Sequence, residues 1–548
     1  MPVDPVYLEH VAVEVYVGAA WYELEDVQLN PGIQIQRGMS GTSMLDRVAS
    51  PGSMTFQLDN SEGNSVGLLG YYSRNNVNCM SGWDIGIPIR CRATFLGVAE
   101  TLFIGTVEAI EPQSGKYRER KVNVHCVDWM QEASEGKIKG LTLQTNCRSD
   151  QLLAALLALT TKPPVATLID YGADTYPYAF DNVLDSEQSL LSIIQTIEVC
   201  EQGYAFVLRD GTFVGQSRHR RPNVFTVSET FTDEDIFEVD ATRGREEIIN
   251  TATAVSHPRH VDATALTVLY VCPDVPNIPR GVTQDFNALY RDPLAKATRV
   301  GCVTLTPPVA TTDFLFNSLA SGLGTNLISQ LTVTVLENAG QGCANSATIR
   351  VVNNGPQDGF LTLLQLRGKG IYDYNTSQVT VTSAASAAKY GGNDVTVDMP
   401  HQADAAVASD VAAYIIQQCK ALLTQIKGFT YWGNQEARLM LAALTLDIGT
   451  KIGLSETVVG TAGVIPPGET QPVSVLDFFI QSVNLQITEG RLVKCSYGIA
   501  PADPFTYWVL ERTGYTELDL TTRLASGTLF AGWIVGQSSL DTDTRVNA

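Results

Sequence analysis

Paired cysteines are missing from this sequence. Ten cysteines stand singly at positions 79, 91, 126, 147, 200, 272, 302, 343, 419 and 495, with no Cys-x-x-Cys spacing among them. That pattern argues against a zinc site or a small disulfide scaffold and reads as buried free thiols in a reducing compartment. Histidine is scarce as well: six residues and no His-Glu-x-x-His leave a metal hydrolase without support. P-loop and G-x-G-x-x-G patterns are absent. Basic residues are outnumbered, 37 Lys and Arg against 58 Asp and Glu, for a formal charge of −21. Gripping a nucleic-acid backbone needs clustered cations. Only KYRERK (Lys116 to Lys121) and RHRR (Arg218 to Arg221) come near, and both read as solvated hairpins or loops. The longest clean apolar run, LLAALLAL from Leu152, has eight residues, far short of the roughly 18 that a membrane span needs. The opening MPVDPVYLEH carries acids and prolines where a signal peptide has a basic and then an apolar stretch, so a soluble protein is expected, with no membrane span.

What the chain does have is length and apolar surface. Its 548 residues, 44% hydrophobic, exceed one core and imply several domains. The pattern predicts a mainly β, α+β multidomain fold. Residues 1–130 read as a first small β-barrel, with short strands such as SMTFQLD, PIRCRATF and RKVNVHCVD parted by turn residues. Residues 131–245 read as an α+β unit. One helix there is capped by Ser149 or Asp150. A second turns Leu190, Ile194 and Ile197 to one face, with Asp185 and Gln188 as a capping box. The expected order then continues with the first part of a second barrel (246–315), an inserted β-sandwich (316–402), a long helix (403–428), the rest of the second barrel (429–500) and a terminal segment (501–548).

The second barrel is expected because an element recurs. WDIGIPIRCRATFLGVAETLFIGTVEAI (Trp83 to Ile110) is answered by LDIGTKIGLSETVVG and LDFFIQSVNLQITEG. Matching residue types sets Asp84, Ile85 and Gly86 on Asp447, Ile448 and Gly449. It sets Phe103, Ile104 and Val107 on Phe479, Ile480 and Val483, and Val124-His125-Cys126 on Val493-Lys494-Cys495. The surplus length in the second copy falls in GTAGVIPPGETQ, a Gly- and Pro-rich stretch where a hairpin tolerates insertion.

Patterns with chemical meaning are few. GNSVG (Gly63 to Gly67) fits a nucleophile elbow around Ser65, but neither a strand enters it nor a helix leaves it, so a surface turn is favoured. DNSEGN (Asp59 to Asn64) lacks the bidentate acid of a tight calcium loop and reads as an Asx-type turn. His257 and His260 are separated by Pro258, which precludes one helical face. Asp233 and Asp235 could be a glycosidase pair, although an acidic chain supplies such pairs by chance. No catalytic, metal or cofactor site is expected, and the repeated residues are read as structural.

PGSMTFQLDNSEG (Pro51 to Gly63), GWDIGIPIRCRATF and LFIGTVEAI resemble the N-terminal barrel of tail hub proteins of tailed bacteriophages. SAAKYGGNDVTVDMPHQADAAVASDVAAYIIQQCK (Ser386 to Lys420) resembles the stretch leading into their second barrel. The resemblance covers most of residues 10 to 500 and implies a non-enzymatic virion protein at the tail tip, assembled in the host cytoplasm. It implies a homotrimer whose duplicated barrels make a pseudo-sixfold ring between the tail tube or distal tail protein and a threefold spike or fibre. The tape-measure protein and DNA would pass through that ring without specific binding, which suits an acidic wall. The competing reading is a receptor- or glycan-binding tail protein using the 330–400 region and Trp432, Tyr507, Trp508 and Trp533. A polymer hydrolase built on Ser65 is the third.

Overall fold

The computed structural model describes residues 5–502 apart from 42–45, 116–118, 139–143, 181–187, 225, 243, 297, 299, 337–345, 374, 422–425 and 460–474. Beyond 502 it describes the backbone of Thr506–Tyr507 and Thr522–Arg523. Tyr507 therefore has a described backbone only, and Asp185, Trp508 and Trp533 lie outside the described residues.

The first half of the fold holds β1 (His10–Val17), β2 (Ala20–Glu23), β3 (Ile33–Gly38), β4 (Ser50–Asp59), β5 (Pro88–Phe95), β6 (Val98–Pro112) and β7 (Lys121–Val127). Alternation makes these strands. In β4, Met54, Phe56 and Leu58 are buried while Ser53, Thr55 and Gln57 face the other way, and β7 repeats this with Val122, Val124 and Cys126. A period of two is what a sheet covered on one face requires. Leu96 and Gly97, both at positive φ, make the tight turn from β5 to β6.

An α+β unit follows. Asp128 caps α1 (Trp129–Glu135) by accepting from the Met130 N–H at 2.9 Å. Gln151 bonds back to the Arg148 N–H at the start of α2 (Ser149–Leu157), so the cap lies one residue ahead of the expected Ser149. α3 (Leu190–Glu201) begins with Ser189 as its cap and buries Leu190, Ile194 and Ile197. Tyr204–Val207 and Thr212–Gln216 form a hairpin about Asp210 and Gly211 beneath these helices.

The second half comprises β8 (Thr230–Thr232) and β9 (Ile236–Ala241), then, after a long excursion, β10 (Ile426–Trp432), β11 (Lys451–Ser455), β12 (Leu476–Thr488) and β13 (Leu492–Pro501). Both halves belong to one sheet, in the order β9-β10-β13-β12-β3-β4-β7-β6-β5-β1-β2, with β11 on the other part of β12 and β8 beside β11. Two closed barrels are expected from the sequence. Among the described residues no sheet closes on itself. β3, whose outer edge would have to find a partner within the first half, pairs with β12 instead, from Ser482 against Gly38 to Ile487 against Ile33. The hydrogen bonds that would seal one half go to joining the two.

The excursion has two parts. Residues 259–373 have their own core, including Leu269, Tyr290, Phe316, Ile349 and Leu366. There the long strand Gly359–Asp373 gathers five partners and Ser346–Asn353 pairs with two more. Strands between 259 and 317, assigned from sequence to the second barrel, pair here: Arg259 lies opposite Asp373. The remaining segments form a connector. Thr251–Ser256 sits between antiparallel Ser377–Thr382 and parallel Asp394–Met399, with α4 (Ala384–Tyr390) following the second of these three. The last two strands, expected in the sandwich, therefore belong to a different sheet. α5 (Ala405–Cys419), capped by Asp404, buries Val411, Ala412 and Ile415. It is shorter than the expected helix, because Ile426-Lys427-Gly428 already form β10. α6 (Ala437–Thr445) is amphipathic, with Leu439, Met440 and Leu444 buried.

Candidate functional site

The seam between β3 and β12 is built around one cation. Arg37, at the end of β3, donates to Asp447 at 2.8 Å, and their side chains are only 4% and 11% exposed. Asp447 also accepts the Arg209 N–H at 2.8 Å, which ties the α+β unit to the same point. Burial pushes the Asp128 carboxyl up to about 6, and the N–H bonds of its cap and the nearby Arg37 charge oppose that rise. Gly38 closes the seam at φ +113, where an added Cβ would run into the Gln481 carbonyl. The Met39 N–H donates to that same carbonyl at 3.0 Å.

Hydrogen bonding shows which repeated residues occupy like places. Gly86, at φ +77, donates to the Val107 carbonyl at 2.7 Å, and Gly449, at φ +81, donates to the Ile480 carbonyl at 2.8 Å. Val107 donates back to Ile87 and Ile480 back to Thr450, each at 3.0 Å. Asp84 and Asp447 both accept the next residue's N–H, at 2.9 and 2.8 Å. The Asp-Ile-Gly turns therefore coincide, but Val107 corresponds to Ile480 rather than Val483. Leu476 takes the place set against Cys91 by Phe103 in the first half, where Phe479 is expected. The extra residue of a β-bulge follows in each copy, Glu108 and Gln481, and then Cys126 matches Ile499 instead of Cys495. Residue-type matching slips along strands because apolar types repeat, whereas a positive-φ glycine and a bulge pin the register.

With that register the two copies share one plan. The strand order β3-β4-β7-β6-β5 is matched by β9-β10-β13-β12-β11, with the same chain order and antiparallel pairing throughout. Phe103, Val107, Phe479, Ile480 and Val483 are buried in this core and Ile104 is half-buried. The Asp-Ile-Gly turns differ in surroundings. Ile448 is 3% exposed and Ile85 62%.

The face of the joined sheet away from the core is polar. Gln57 donates to Asn123 at 2.9 Å, Thr430 and Ser496 share a bond at 2.8 Å, and His125 faces Glu111 at 3.5 Å. Gln36, Glu238, Asp240, Lys427, Thr430 and Asn484 line a shallow concavity of about 480 Å³ on this face. Such a surface offers carboxylates, amides and hydroxyls, and its one lysine is paired with Glu247.

The other candidates resolve into structural roles. Ser65 donates its hydroxyl to Asp26 at 2.9 Å, and the same carboxylate accepts the Ser65 N–H and the Tyr72 hydroxyl, so Asp26 ties the turn down. Asp59 accepts from Ser61 as an Asx turn does. His257 contacts Asp398 at 2.6 Å while His260 packs near Tyr372. Asp233 accepts from Thr457, and Asp235 from Thr232 and Arg438. Trp432 lies half-buried near Phe237. The RHRR stretch is no solvated loop: Arg218 is buried against Asp174, and Arg221 stacks 3.4 Å from the Tyr204 ring centroid. Among the described residues no group of three or more His, Cys, Asp or Glu could hold a metal ion, and no helix is long and apolar enough to cross a membrane.

No protein-family model matches the chain, and no curated protein matches it. Solved structures similar to it include tail proteins. The 43 kDa tail protein of prophage MuSo2 from Shewanella oneidensis is 9% identical, with 91% of this chain and 99% of that one covered and a TM-score of 0.45. The tail protein from Neisseria meningitidis MC58 is 8% identical over 90% and 98%, with a TM-score of 0.46. The prophage tail protein gp18 from Listeria monocytogenes EGD-e is 8% identical over 89% and 94%, with a TM-score of 0.37.

Proposed function

We propose that this chain is a structural hub protein of a phage-type tail, working as a homotrimer whose six modules form a pseudo-sixfold ring. One observation carries the reading: a five-strand module, with its bulge and its Asp-Ile-Gly turn, is built twice and fused edge to edge through β3 and β12. A protein with two near-equivalent surfaces per subunit can present six contacts to a tail tube and three to a spike or fibre. The resemblance of Pro51 to Gly63 and Ser386 to Lys420 to tail hub sequences points the same way. In this reading the polar face lines the passage for DNA and the tape-measure protein, and the chain's formal charge of −21 keeps a polyanion from adhering. The function is mechanical, with no reaction and no cofactor, and the protein resides at the tail tip.

The test is a mass measurement by light scattering on the full chain, with and without its tube partner, and an image of the particle. Three chains per ring, with six similar densities around the axis, are expected. A monomer under both conditions, or a ring without threefold order, overturns the reading.

A further inference from the structure

The unit of residues 259–373 differs from the rest of the chain in charge. It holds eight Lys and Arg against eight Asp and Glu, so the formal charge of −21 resides entirely outside it. Its long strand Gly359–Asp373 has 15 residues and runs from the base, where Asp373 pairs with Arg259, to a far end about 45 Å away. At that end Asn277 and Asn317 flank Phe360 from opposite sides, and the loop 318–326 leaves the strand Phe314–Asn317. From Phe314 to Leu336 no residue is charged. Leu319 is 53% exposed and Leu323 87%, and Val275 and Val282 are exposed at the same end. Asp274, Arg280 and Asp358 also stand there, off the loop. The two leucines are held in place. Buried Asn317 donates from its amide to the Gly322 and Gly324 carbonyls, both at 3.1 Å, and accepts the Leu319 N–H at 3.1 Å. The Ser318 hydroxyl oxygen accepts the Thr325 N–H at 2.8 Å, and the Ser318 N–H donates to the Thr325 carbonyl at 3.0 Å. Gly322 donates to the Leu319 carbonyl at 3.0 Å. A loop that meets its own backbone groups in this way can leave water at low cost, and its exposed aliphatic side chains gain by leaving.

We infer that the loop 318–326 is a lipid-contacting tip, in which Leu319 and Leu323 enter the outer acyl layer of a bilayer while Arg280 and its charged neighbours stay among the headgroups. Three observations favour a bilayer over other partners. A protein pocket is met by a rim of charged and hydrogen-bonding side chains, and this stretch carries no charge over 23 residues. A glycan calls for flat rings, and among the described residues no aromatic side chain of the unit is exposed. A membrane with anionic lipids repels a chain of charge −21, but that repulsion decays over about 8 Å at physiological salt. The tip stands several such lengths beyond the base of a neutral unit, so it reaches a membrane that the acidic remainder does not. The inference concerns a single chain and stands apart from the proposed ring.

Flotation of the full chain with protein-free phosphatidylcholine vesicles at millimolar lipid reads this directly. The natural chain should float with the vesicles. Leu319→Ser and Leu323→Ser should each lower the partition coefficient about tenfold, and the double change about a hundredfold. Leu319→Met/Leu323→Met should retain it. All of these side chains are exposed, so the variants should keep the natural melting curve. Binding should be the same in low and in molar salt, because leucine insertion is not screened. A natural chain that stays below the vesicles overturns the inference, and so does a Ser/Ser variant that floats as well as the natural chain. Flotation that molar salt abolishes also overturns it, since charge would then be the cause. If bare vesicles take up nothing while the Ser/Ser variant still impairs adsorption of particles to cells, the tip fits an apolar pocket of a protein and the bilayer is wrong. None of these results bears on the number of chains per ring, which the mass measurement decides separately.

Discussion

Arg37 and Asp447 stand 410 positions apart in sequence and 2.8 Å apart in the fold, sealed from solvent where the two copies of the module meet. Removing one partner of such a pair leaves an uncompensated buried charge, at a cost of about 3–5 kcal/mol. Arg37→Met and Asp447→Leu should each lower the melting temperature strongly, and the double variant should lose less than the two single losses added. Additive losses in a double-mutant cycle would mean that the pair carries no coupling across the seam.

Gly38 tests the seam by shape alone. Gly38→Ala places a methyl group into the Gln481 carbonyl in a left-handed backbone, and a loss of several kcal/mol is expected. Gly97→Ala has positive φ but open space around it, and should cost only about 1 kcal/mol. Limited proteolysis should cut the first variant readily and leave the second resistant. Equal resistance would show that β3 can leave β12 without harm.

Asp128 confers a pH dependence whose sign follows from burial. Its carboxyl is raised from 3.8 to about 6, so the folded state favours the neutral form. The associated stability is present below about pH 4 and is lost as pH rises through 6. Asp128→Asn keeps an oxygen for the Met130 N–H and carries no charge. The variant should therefore gain on the natural protein between pH 4 and 7, by up to about 3 kcal/mol. Parallel melting curves across that range would contradict this.

The inserted unit should be removable. Its core is separate, and its first and last strands meet where Arg259 faces Asp373. Replacing residues 259–373 with a short Gly-Ser link is expected to leave a soluble chain with the main sheet intact, judged by circular dichroism. Adsorption by particles carrying this shortened chain tests the receptor-binding reading. Normal adsorption removes the unit from that role.

Much of this plan could be read from residues. Alternation in β4 and β7 and the apolar stripe of α3 identify those elements, because burial on one face imposes a period that composition alone does not. The duplication was visible through Asp84-Ile85-Gly86 and Asp447-Ile448-Gly449, where glycine at positive φ leaves a sharp mark. Its register was not, since Val107 and Ile480 look no more alike than Val107 and Val483. Nor was the absence of closure, for nothing in Ile33 to Gly38 says that its edge belongs to a strand more than four hundred residues away. Arg218 and Arg221 were unreadable for a related reason: their partners Asp174 and Tyr204 come from other elements, so their burial depends on tertiary neighbours.

The corner between the first two strands of the module holds residues 39–49 in one copy and 242–425 in the other. The same framework thus accepts a link of 11 residues or an entire passenger at that position while keeping its bulge, its turn and its strand order. The short link is itself built in, since Met39 and Ala49 are buried and Val48 bridges Ala205 of the hairpin. A foreign domain grafted there enters at exposed Ser40, and each chain then carries a passenger on both of its modules.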